Sequence, residues 1–220
     1  MATILFLNLP MQVLSYSLIL YHRTAVIVYS LILLSFSVRL RYNILMERTI
    51  LDAEEMAGFI EKLAVESLKE AGSHLAVVGI KKRGAIIANR IAESIRIAGM
   101  REVPLGFLDI TLYRDDFSRI GPNPVVSGTE ISFDLEGRTI LLVDDVLYTG
   151  RTVRAALDEL IDFGRPGLVR LLVLVDRQGR ELPIHPDFVG IKAVVASNQY
   201  VEVRVKEIDG MDGVVVVERK

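Results

Sequence analysis

The sequence predicts an α/β domain in which helices cover both faces of a mostly parallel central sheet. Two observations carry this prediction. After residue 46, short apolar runs alternate with segments whose apolar residues recur at helical spacing, as in consecutive βαβ units. The apolar runs are only a few residues long, which suits strands buried inside such a sheet.

The predicted elements begin with a helix and then alternate. Asp52 and Glu55 have the spacing of a capping box, and Gly72 ends the helix that they open. The order is helix, strand, helix, strand, long polar loop, strand, helix and strand, over residues 52–72, 74–80, 84–98, 105–113, 114–130, 139–143, 152–163 and 168–175.

The chain joins two segments of different chemistry. Residues 1–45 hold 30 apolar residues, and Arg23, Arg39 and Arg41 are their only formal charges. All 28 acids and 23 of the 26 Lys and Arg residues follow, so the remainder has a net charge of 23 − 28 = −5. We therefore expect an apolar N-terminal extension, 1–45, joined to a domain over 46–220.

The apolar extension does not have the form of a membrane span. Its two apolar stretches, 11–21 and 24–38, are each shorter than the roughly 20 residues that cross a bilayer, and merging them would bury Arg23. We expect translation to start at Met46, with a single signal-anchor helix as the alternative. For 46–220 we expect a cytoplasmic location and no membrane partner.

The composition excludes several classes of site. The absence of cysteine removes disulfides, thiolate metal sites and cysteine nucleophiles. The three histidines are scattered without the spacing of zinc ligands. The near balance of 26 basic and 28 acidic residues argues against a purely electrostatic nucleic-acid binder.

The most informative segment follows the strand predicted at 139–143. Asp144 and Asp145 come first, and then Thr149, Gly150 and Thr152 lead into a helix. A helix N-terminus offers free amides and a positive dipole end, which suits a phosphate group. The two carboxylates suit the hydroxyls of a ribose next to that phosphate. The alternative is structural, with the two acids capping a turn and Thr152 capping the helix.

This segment resembles the phosphoribosyl pyrophosphate loop of type I phosphoribosyltransferases. Three further motifs, in the same order along the chain, resemble the PyrR family of pyrimidine operon attenuators that also act as uracil phosphoribosyltransferases. They are VGIKKRG at 78–84, LDITLYRDD at 108–116, and VDR at 175–177 with RELPI at 180–184. The resemblance runs from about Thr49 to the C-terminus and leaves out 1–45.

The resemblance implies a type I phosphoribosyltransferase fold with a mobile lid loop. The implied reaction converts uracil and phosphoribosyl pyrophosphate to UMP and pyrophosphate. Mg²⁺ is expected to bind with phosphoribosyl pyrophosphate and without a direct protein ligand. Asp144 and Asp145 then hold the ribose diol as catalytic residues, and the catalytic Arg114 comes from the polar loop that resembles the lid.

The same resemblance assigns the other substrate groups. Lys82 and Arg83 face pyrophosphate, and Asp176 and Arg177 lie near the base. The nucleotide 5′-phosphate is bound by Val146, Leu147, Tyr148, Thr149, Gly150, Arg151 and Thr152. Without the resemblance, Lys82 and Arg83 would be solvated loop cations, and Arg177 and Arg180 would be surface charges.

The resemblance also implies a regulator that binds pyrimidine operon leader mRNA when UMP is bound, and a homo-oligomer. Lys62, Arg180 and Lys192 are the candidate RNA contacts. RNA-binding relatives contribute polar and basic residues from the first helix, whereas this chain reads EKLAVE at 61–66. Two alternatives therefore stand: a salvage enzyme without RNA binding, and a non-catalytic regulator that senses phosphoribosyl pyrophosphate.

Overall fold

A computed structural model of the chain describes residues 47–112 and 128–218. Apart from Glu47, the described residues belong to one compact unit, Arg48–Lys220. The apolar extension, Met46 and Arg114 lie outside the described residues, so the predictions made for them remain predictions. Within the described parts, no helix is both long enough and apolar enough to span a membrane.

The central sheet has five parallel strands in the order β3-β2-β4-β5-β6. This order places the strand with the two adjacent aspartates in the middle of the sheet. The strands are β2 (Leu75–Ile80), β3 (Leu105–Leu108), β4 (Thr139–Leu147), β5 (Leu168–Arg177) and β6 (Phe188–Ala193). The predicted parallel α/β architecture is confirmed.

Helices cover both faces of this sheet, as predicted. The helices are α1 (Ala53–Ala71), α2 (Arg83–Ile97) and α3 (Arg151–Phe163). Alternate residues of a strand point to opposite faces, so Val77 packs in the core with α1 and α2, whereas Val78 packs in the core with α3. The central strands are apolar throughout because both of their faces are buried.

A second sheet of three strands, which the sequence did not predict, combines the first strand of the described chain with the last two. Its order is β1-β8-β7, with β1 (Glu47–Leu51), β7 (Gln199–Arg204) and β8 (Gly213–Glu218). Strands β7 and β8 are antiparallel, and the short helix α4 (Lys206–Asp209) connects them. Val201, Val203 and Val214 join the core that contains α1 and α2.

Three strand ends differ from the prediction. Strand β4 continues through the two aspartates to Leu147, because the pairing with β5 continues to the partners Leu147 and Asp176. Strand β5 therefore also extends to Arg177. The strand predicted over 105–113 ends at Leu108, and a short 3₁₀ turn, Ile110–Leu112, follows it.

Helix α1 begins with the predicted capping box. The Asp52 Oδ1 atom accepts a hydrogen bond from the Glu55 amide at 2.9 Å, and the Glu55 Oε2 atom accepts one from the Asp52 amide at 2.9 Å. These two contacts satisfy backbone donors that have no partner inside the helix. Met56, Ile60 and Leu63 then face the core. The helix ends at Gly72, whose φ is 64°.

Helix α3 carries a buried carboxyl group, that of Glu159. Its Oε1 atom accepts a hydrogen bond from the Thr129 hydroxyl, and the Thr129 Oγ1 atom accepts one from the Asp109 amide at 3.0 Å. Its Oε2 atom has no hydrogen-bond partner among the described residues. Burial raises the pKa of Glu159, and the nearby carboxylates of Asp109 and Asp162 add to that increase.

Loss of the capping box should lower the stability of the domain. We expect Asp52→Ala to reduce the free energy of unfolding by about 1 kcal/mol, because the Glu55 amide loses its acceptor. Urea denaturation measures the change. Glu54→Ala removes an acid from the same helical turn and is the matched control. Equal losses for the two variants would contradict a specific capping role.

The raised pKa of Glu159 predicts a pH-dependent difference in stability. A carboxyl group whose pKa is higher in the folded state stabilises the fold below its unfolded pKa, about 4.3, and this stabilisation is lost as pH rises through the folded pKa. We therefore expect Glu159→Gln to gain stability relative to the unaltered protein between pH 4 and pH 8.

Chemical denaturation at a series of pH values measures this difference. Asp158→Asn, a change at an exposed side chain of the same helix, is the matched control, because an exposed ion pair such as that of Asp158 with Arg154 contributes little to stability. A constant offset between Glu159→Gln and the unaltered protein across this pH range would contradict the assignment.

Candidate active site

A cavity of about 380 Å³ opens at the carboxyl ends of strands β2, β3 and β4. This is the edge at which parallel α/β sheets bind ligands. Polar and charged side chains dominate its wall. The lining residues are Ile80, Lys81, Lys82, Arg83, Asp109, Ile110, Thr111, Asp144, Asp145, Val146 and Thr152.

The two adjacent aspartates both line this cavity. Neighbouring residues of a strand normally face opposite sides of a sheet. Asp144 and Asp145 lie near the carboxyl end of β4, where both residues border the same cavity. The Asp144 residue is only 5% exposed. Its Oδ1 atom accepts a hydrogen bond from the Asp145 amide, and Asp145 Oδ1 accepts one from Val146, both at 2.9 Å.

Helix α2 approaches the aspartates closely through Gly84. A Cβ atom on Gly84 would lie 2.8 Å from the Val143 carbonyl oxygen and 3.1 Å from Asp144 Oδ1. Only a residue without a side chain permits this separation. The approach brings the preceding residues, Lys82 and Arg83, into the wall of the cavity beside the carboxylates.

A tight turn connects β4 to α3 and presents the helix N-terminus to the site. Gly150 has a φ of 93°, which glycine adopts at little cost, and α3 starts at the next residue. The Arg151 amide donates to Thr149 Oγ1 at 3.3 Å, and the Thr149 carbonyl accepts from the Glu181 amide at 2.9 Å. Thr152, in the first turn of α3, lines the cavity.

The residues predicted to bind phosphate do not all turn their side chains to the site. Val146 and Thr152 line the cavity, whereas the Leu147 side chain is buried in the core with α3. The Arg151 guanidinium pairs with Glu181, with 2.7 Å between Nε and Oε2. Leu147 and Arg151 therefore contribute backbone groups, rather than side chains, to the turn between β4 and α3.

Three successive cations follow strand β2, with different surroundings. The Lys81 ammonium lies 2.6 Å from Glu130 Oε1 and donates to the Gly128 carbonyl at 2.8 Å. The Lys82 side chain is exposed at the cavity, and no carboxylate in the described parts of the chain pairs with it. Arg83 lines the cavity and also donates to Asp209 in α4.

The surroundings of Arg83 favour its charged form. The hydrogen bond to Asp209 raises the pKa of Arg83 most, burial opposes that increase, and the charge of Asp145 adds to it. The hydrogen bond from Arg83 in turn lowers the pKa of Asp209. Both groups are therefore ionised at neutral pH, and the positive charge stays beside the cavity.

Sequence reasoning missed part of the wall, in particular Asp109 and Thr111. The Asp109 Oδ1 atom accepts hydrogen bonds from the Thr111 amide, at 3.0 Å, and from the Thr111 hydroxyl. A signal was available, because Asp109 directly follows the apolar strand β3 just as Asp144 follows the apolar part of β4. The structure brings these two strand ends together at one cavity.

The residues predicted for the base pocket lie beside the turn between β4 and α3, and they do not line this cavity. The Arg177 guanidinium stacks on the Tyr148 ring, 3.9 Å from its centroid, and donates to the Gln199 carbonyl at 2.8 Å. The Asp176 carboxylate accepts a hydrogen bond from Arg180. The interpretation of Arg177 as a surface charge is wrong, since the residue is 7% exposed.

Arg180 connects the end of strand β5 to the turn between β4 and α3. Besides Asp176, its guanidinium donates to the carbonyls of Leu147, at 3.3 Å, and Tyr148, and its Nε atom donates to the Ile184 carbonyl at 3.0 Å. Its side chain is 18% exposed. These contacts do not fit a surface charge or the predicted contact with RNA, and they indicate a role in holding the turn.

The other two candidate RNA contacts are exposed, as such contacts must be. The Lys62 ammonium lies 3.8 Å from Glu66 on the surface of α1. Lys192 is exposed on β6, and α1 packs against that strand. In the described parts of the chain, no group of three or more His, Asp or Glu side chains could hold a metal ion.

Comparisons with known proteins agree with this fold. The model of the phosphoribosyl transferase domain family matches residues 47–207. Among solved structures, a hypoxanthine-guanine-xanthine phosphoribosyltransferase aligns with a TM-score of 0.58 at 14% identity, covering 80% of this chain and 98% of its own. A hypoxanthine phosphoribosyltransferase from Staphylococcus aureus aligns with a TM-score of 0.57 at 19% identity, covering 78% and 92%.

The curated relatives are more similar in sequence. The bifunctional protein PyrR of Roseiflexus sp. (strain RS-1) is 51% identical over 174 residues, which cover 78% of this chain and 95% of that protein. The bifunctional protein PyrR of Thermus aquaticus is 51% identical over 173 residues, which cover 78% and 96%. The predicted resemblance and fold are confirmed: the chain belongs to the phosphoribosyltransferases, and among them to the PyrR family.

Proposed function

We propose that the chain is a uracil phosphoribosyltransferase, which converts uracil and phosphoribosyl pyrophosphate to UMP and pyrophosphate. One observation carries the proposal. A single cavity is bordered by two carboxylates, by the first turn of α3 and by a cationic turn. These three surfaces match the ribose hydroxyls, the 5′-phosphate and the pyrophosphate of the sugar substrate. Uracil as the acceptor follows from membership in the PyrR family.

The chemistry of the reaction explains the arrangement of charges. Breaking the bond at the anomeric carbon leaves positive charge on the ribose ring and negative charge on pyrophosphate. Asp144 and Asp145 hold the ribose diol on the side where positive charge develops. Lys82 and Arg83 face the leaving group, so groups that are already in place stabilise both developing charges.

The 5′-phosphate is bound at the start of α3. The first amides of a helix have no partner inside it and point toward a ligand, and the helix dipole favours an anion there. Thr152 adds a hydroxyl donor at the cavity wall. The contacts of Arg180 with the carbonyls of Leu147 and Tyr148 hold the turn in the shape that presents these donors.

Mg²⁺ fits this site as a companion of the substrate. When bound, it would neutralise the negative charge that develops on pyrophosphate. Asp144 and Asp145 lie in the same cavity as the proposed pyrophosphate contacts, and their negative charges favour a cation there. The substrate's own oxygens would hold the ion, without a direct ligand from the protein.

The base binds on the side of the Tyr148–Arg177 pair. This pair packs at the turn between β4 and α3, the proposed phosphate site. Gly179 permits the contact, because a Cβ atom on residue 179 would collide with the Tyr148 ring. Arg180 ties Asp176 to the same turn. Base and phosphate are therefore recognised by adjoining segments of one hydrogen-bonded unit.

The second function is regulation of pyrimidine operon transcription by UMP-dependent binding to leader mRNA. The relatives that support it are named bifunctional proteins. Lys62 and Lys192 are exposed on two elements that pack together, which suits contacts with RNA phosphates. A homo-oligomer is part of this proposal, because the PyrR family forms dimers or larger assemblies.

The ribose assignment is tested by removing both carboxylate charges. We expect the double variant Asp144→Asn, Asp145→Asn to lower kcat/KM by at least about a thousandfold, because the ribose diol and the developing positive charge lose their partners. UMP formation from labelled uracil, phosphoribosyl pyrophosphate and Mg²⁺ measures it. Asp158→Asn, on α3 outside the cavity, should keep full activity, and wild-type turnover by the double variant would contradict the assignment.

The RNA contacts are tested with lysines that lie outside the cavity. We expect Lys62→Ala with Lys192→Ala to weaken binding of leader RNA in the presence of UMP. Each lost phosphate contact should also reduce the salt dependence, by about 0.7 to 0.9 in the slope of log K against log salt. Filter binding at several salt concentrations measures both quantities.

The control for this test is Lys69→Ala, another exposed lysine of α1. UMP formation should stay near the rate of the unaltered protein in the double variant and in this control, since none of the three lysines lines the cavity. An unchanged RNA affinity and slope in the double variant would remove Lys62 and Lys192 from the RNA surface.

A further inference from the structure

We propose that Asp209, in the helix α4 that connects strands β7 and β8 of the small sheet, is a positioning residue that orients Arg83 toward pyrophosphate. The inference rests on the proposed function for the identity of the anion. It assigns a role in the reaction to a part of the chain that contributes no side chain to the cavity wall.

The contact between the two residues is bidentate. The Arg83 Nε atom donates to Asp209 Oδ2 at 3.3 Å, and Nη2 donates to Oδ1 at 2.9 Å. A carboxylate that binds both of these atoms fixes the plane of the guanidinium as well as its position. Two of its five N–H groups are used in this way, and the others remain for the cavity side, where Arg83 forms part of the wall.

Asp209 is itself held in place. Its Oδ2 atom accepts a hydrogen bond from the Val205 amide at 2.9 Å, and its own amide donates to the Val205 carbonyl at 2.7 Å. Val205 is fully buried and belongs to the core that α1 and α2 share with the small sheet. The guanidinium is therefore anchored through Asp209 to the folded core, rather than to a free loop.

A second arginine of α2 shows that attachment of the β7–β8 connection to this helix does not depend on Asp209 alone. Arg90, two helical turns after Arg83, donates to Glu207 at 2.7 Å and to Asp212 at 2.8 Å. These ion pairs already attach the connection to α2, and Arg90 does not line the cavity. The distinguishing feature of Asp209 is that its partner borders the proposed pyrophosphate site.

Orientation of Arg83 matters because a long side chain loses conformational freedom when it binds an anion. A guanidinium that is fixed before binding loses less, so pyrophosphate binds more tightly. UMP lacks the pyrophosphate group and does not need Arg83. The two ligands should therefore respond differently to a change at Asp209, whereas general damage to the fold would weaken both.

The experiment measures binding of magnesium pyrophosphate and of UMP to the full chain by titration calorimetry. We expect Asp209→Asn to weaken pyrophosphate binding about tenfold, the scale of one charge-assisted hydrogen bond, and to leave UMP within about twofold. Asp212→Asn is the matched control, and both affinities should stay within about twofold. On an Arg83→Ala background, Asp209→Asn should have no further effect on pyrophosphate.

Equal effects of Asp209→Asn and Asp212→Asn would overturn the inference, as would a parallel loss of pyrophosphate and UMP affinity. An undiminished effect on the Arg83→Ala background would overturn it too, since Asp209 would then act by another route. If Asp209→Asn does not fold, Asp209→Glu tests the same point by moving the carboxylate, with a selective loss for pyrophosphate expected.

The proposed function fails separately from this inference. Calorimetry requires no turnover, so a chain that binds pyrophosphate with the expected pattern but forms no UMP would lose the proposed activity and keep the role of Asp209. A chain that forms UMP but shows no selective effect would keep the activity and lose that role. Absence of pyrophosphate binding in the unaltered protein would overturn both.

Discussion

The site depends on one packing contact, the approach of the first turn of α2 to the end of strand β4. At Gly84 this approach leaves no room for a side chain, because a Cβ atom would lie within 2.8 Å of the Val143 carbonyl oxygen. Cations and carboxylates come from segments about 60 residues apart, and the contact places them around the same cavity. A larger separation would open a gap between the groups proposed to bind ribose and those proposed to bind pyrophosphate.

Once that contact is made, the rest of the chain holds the two sides of the site. Arg180 donates hydrogen bonds to the carbonyls of Leu147 and Tyr148, and Asp209 forms an ion pair with the guanidinium of Arg83. Both supporting residues follow strand β4 in the chain. Arg180 donates hydrogen bonds at the end of β4, and Asp209 accepts hydrogen bonds from the first residue of α2. Well-supported contacts of this kind are what a site needs when its ligand is a flexible, multiply charged sugar phosphate.

The sequence was informative wherever local chemistry decides the structure. The capping box of α1, the apolar strands and the aspartates before Gly150 each follow from a few adjacent residues, and the fold and family were predicted from them. Strands β1 and β7 of the small sheet were missed because they mix charged with apolar residues, whereas the four consecutive valines of β8 were a signal that went unused. The partners of Arg177 and Arg83, and the contacts of Arg180 with Leu147 and Tyr148, were missed because they are long-range contacts, which no local pattern contains.

The three cations of the site differ in how far carboxylates within the protein balance their charge. Lys81 and Arg83 are each paired with a carboxylate, Glu130 and Asp209, so much of their charge is balanced within the protein. Lys82 has no carboxylate partner among the described residues, and it lies between them on the same turn. In a domain with a net charge of −5, long-range steering does not favour an anionic substrate. Recognition of the substrate must therefore come from short-range contacts. The paired cations, Lys81 and Arg83, provide oriented hydrogen-bond donors, and Lys82 provides most of the uncompensated positive charge.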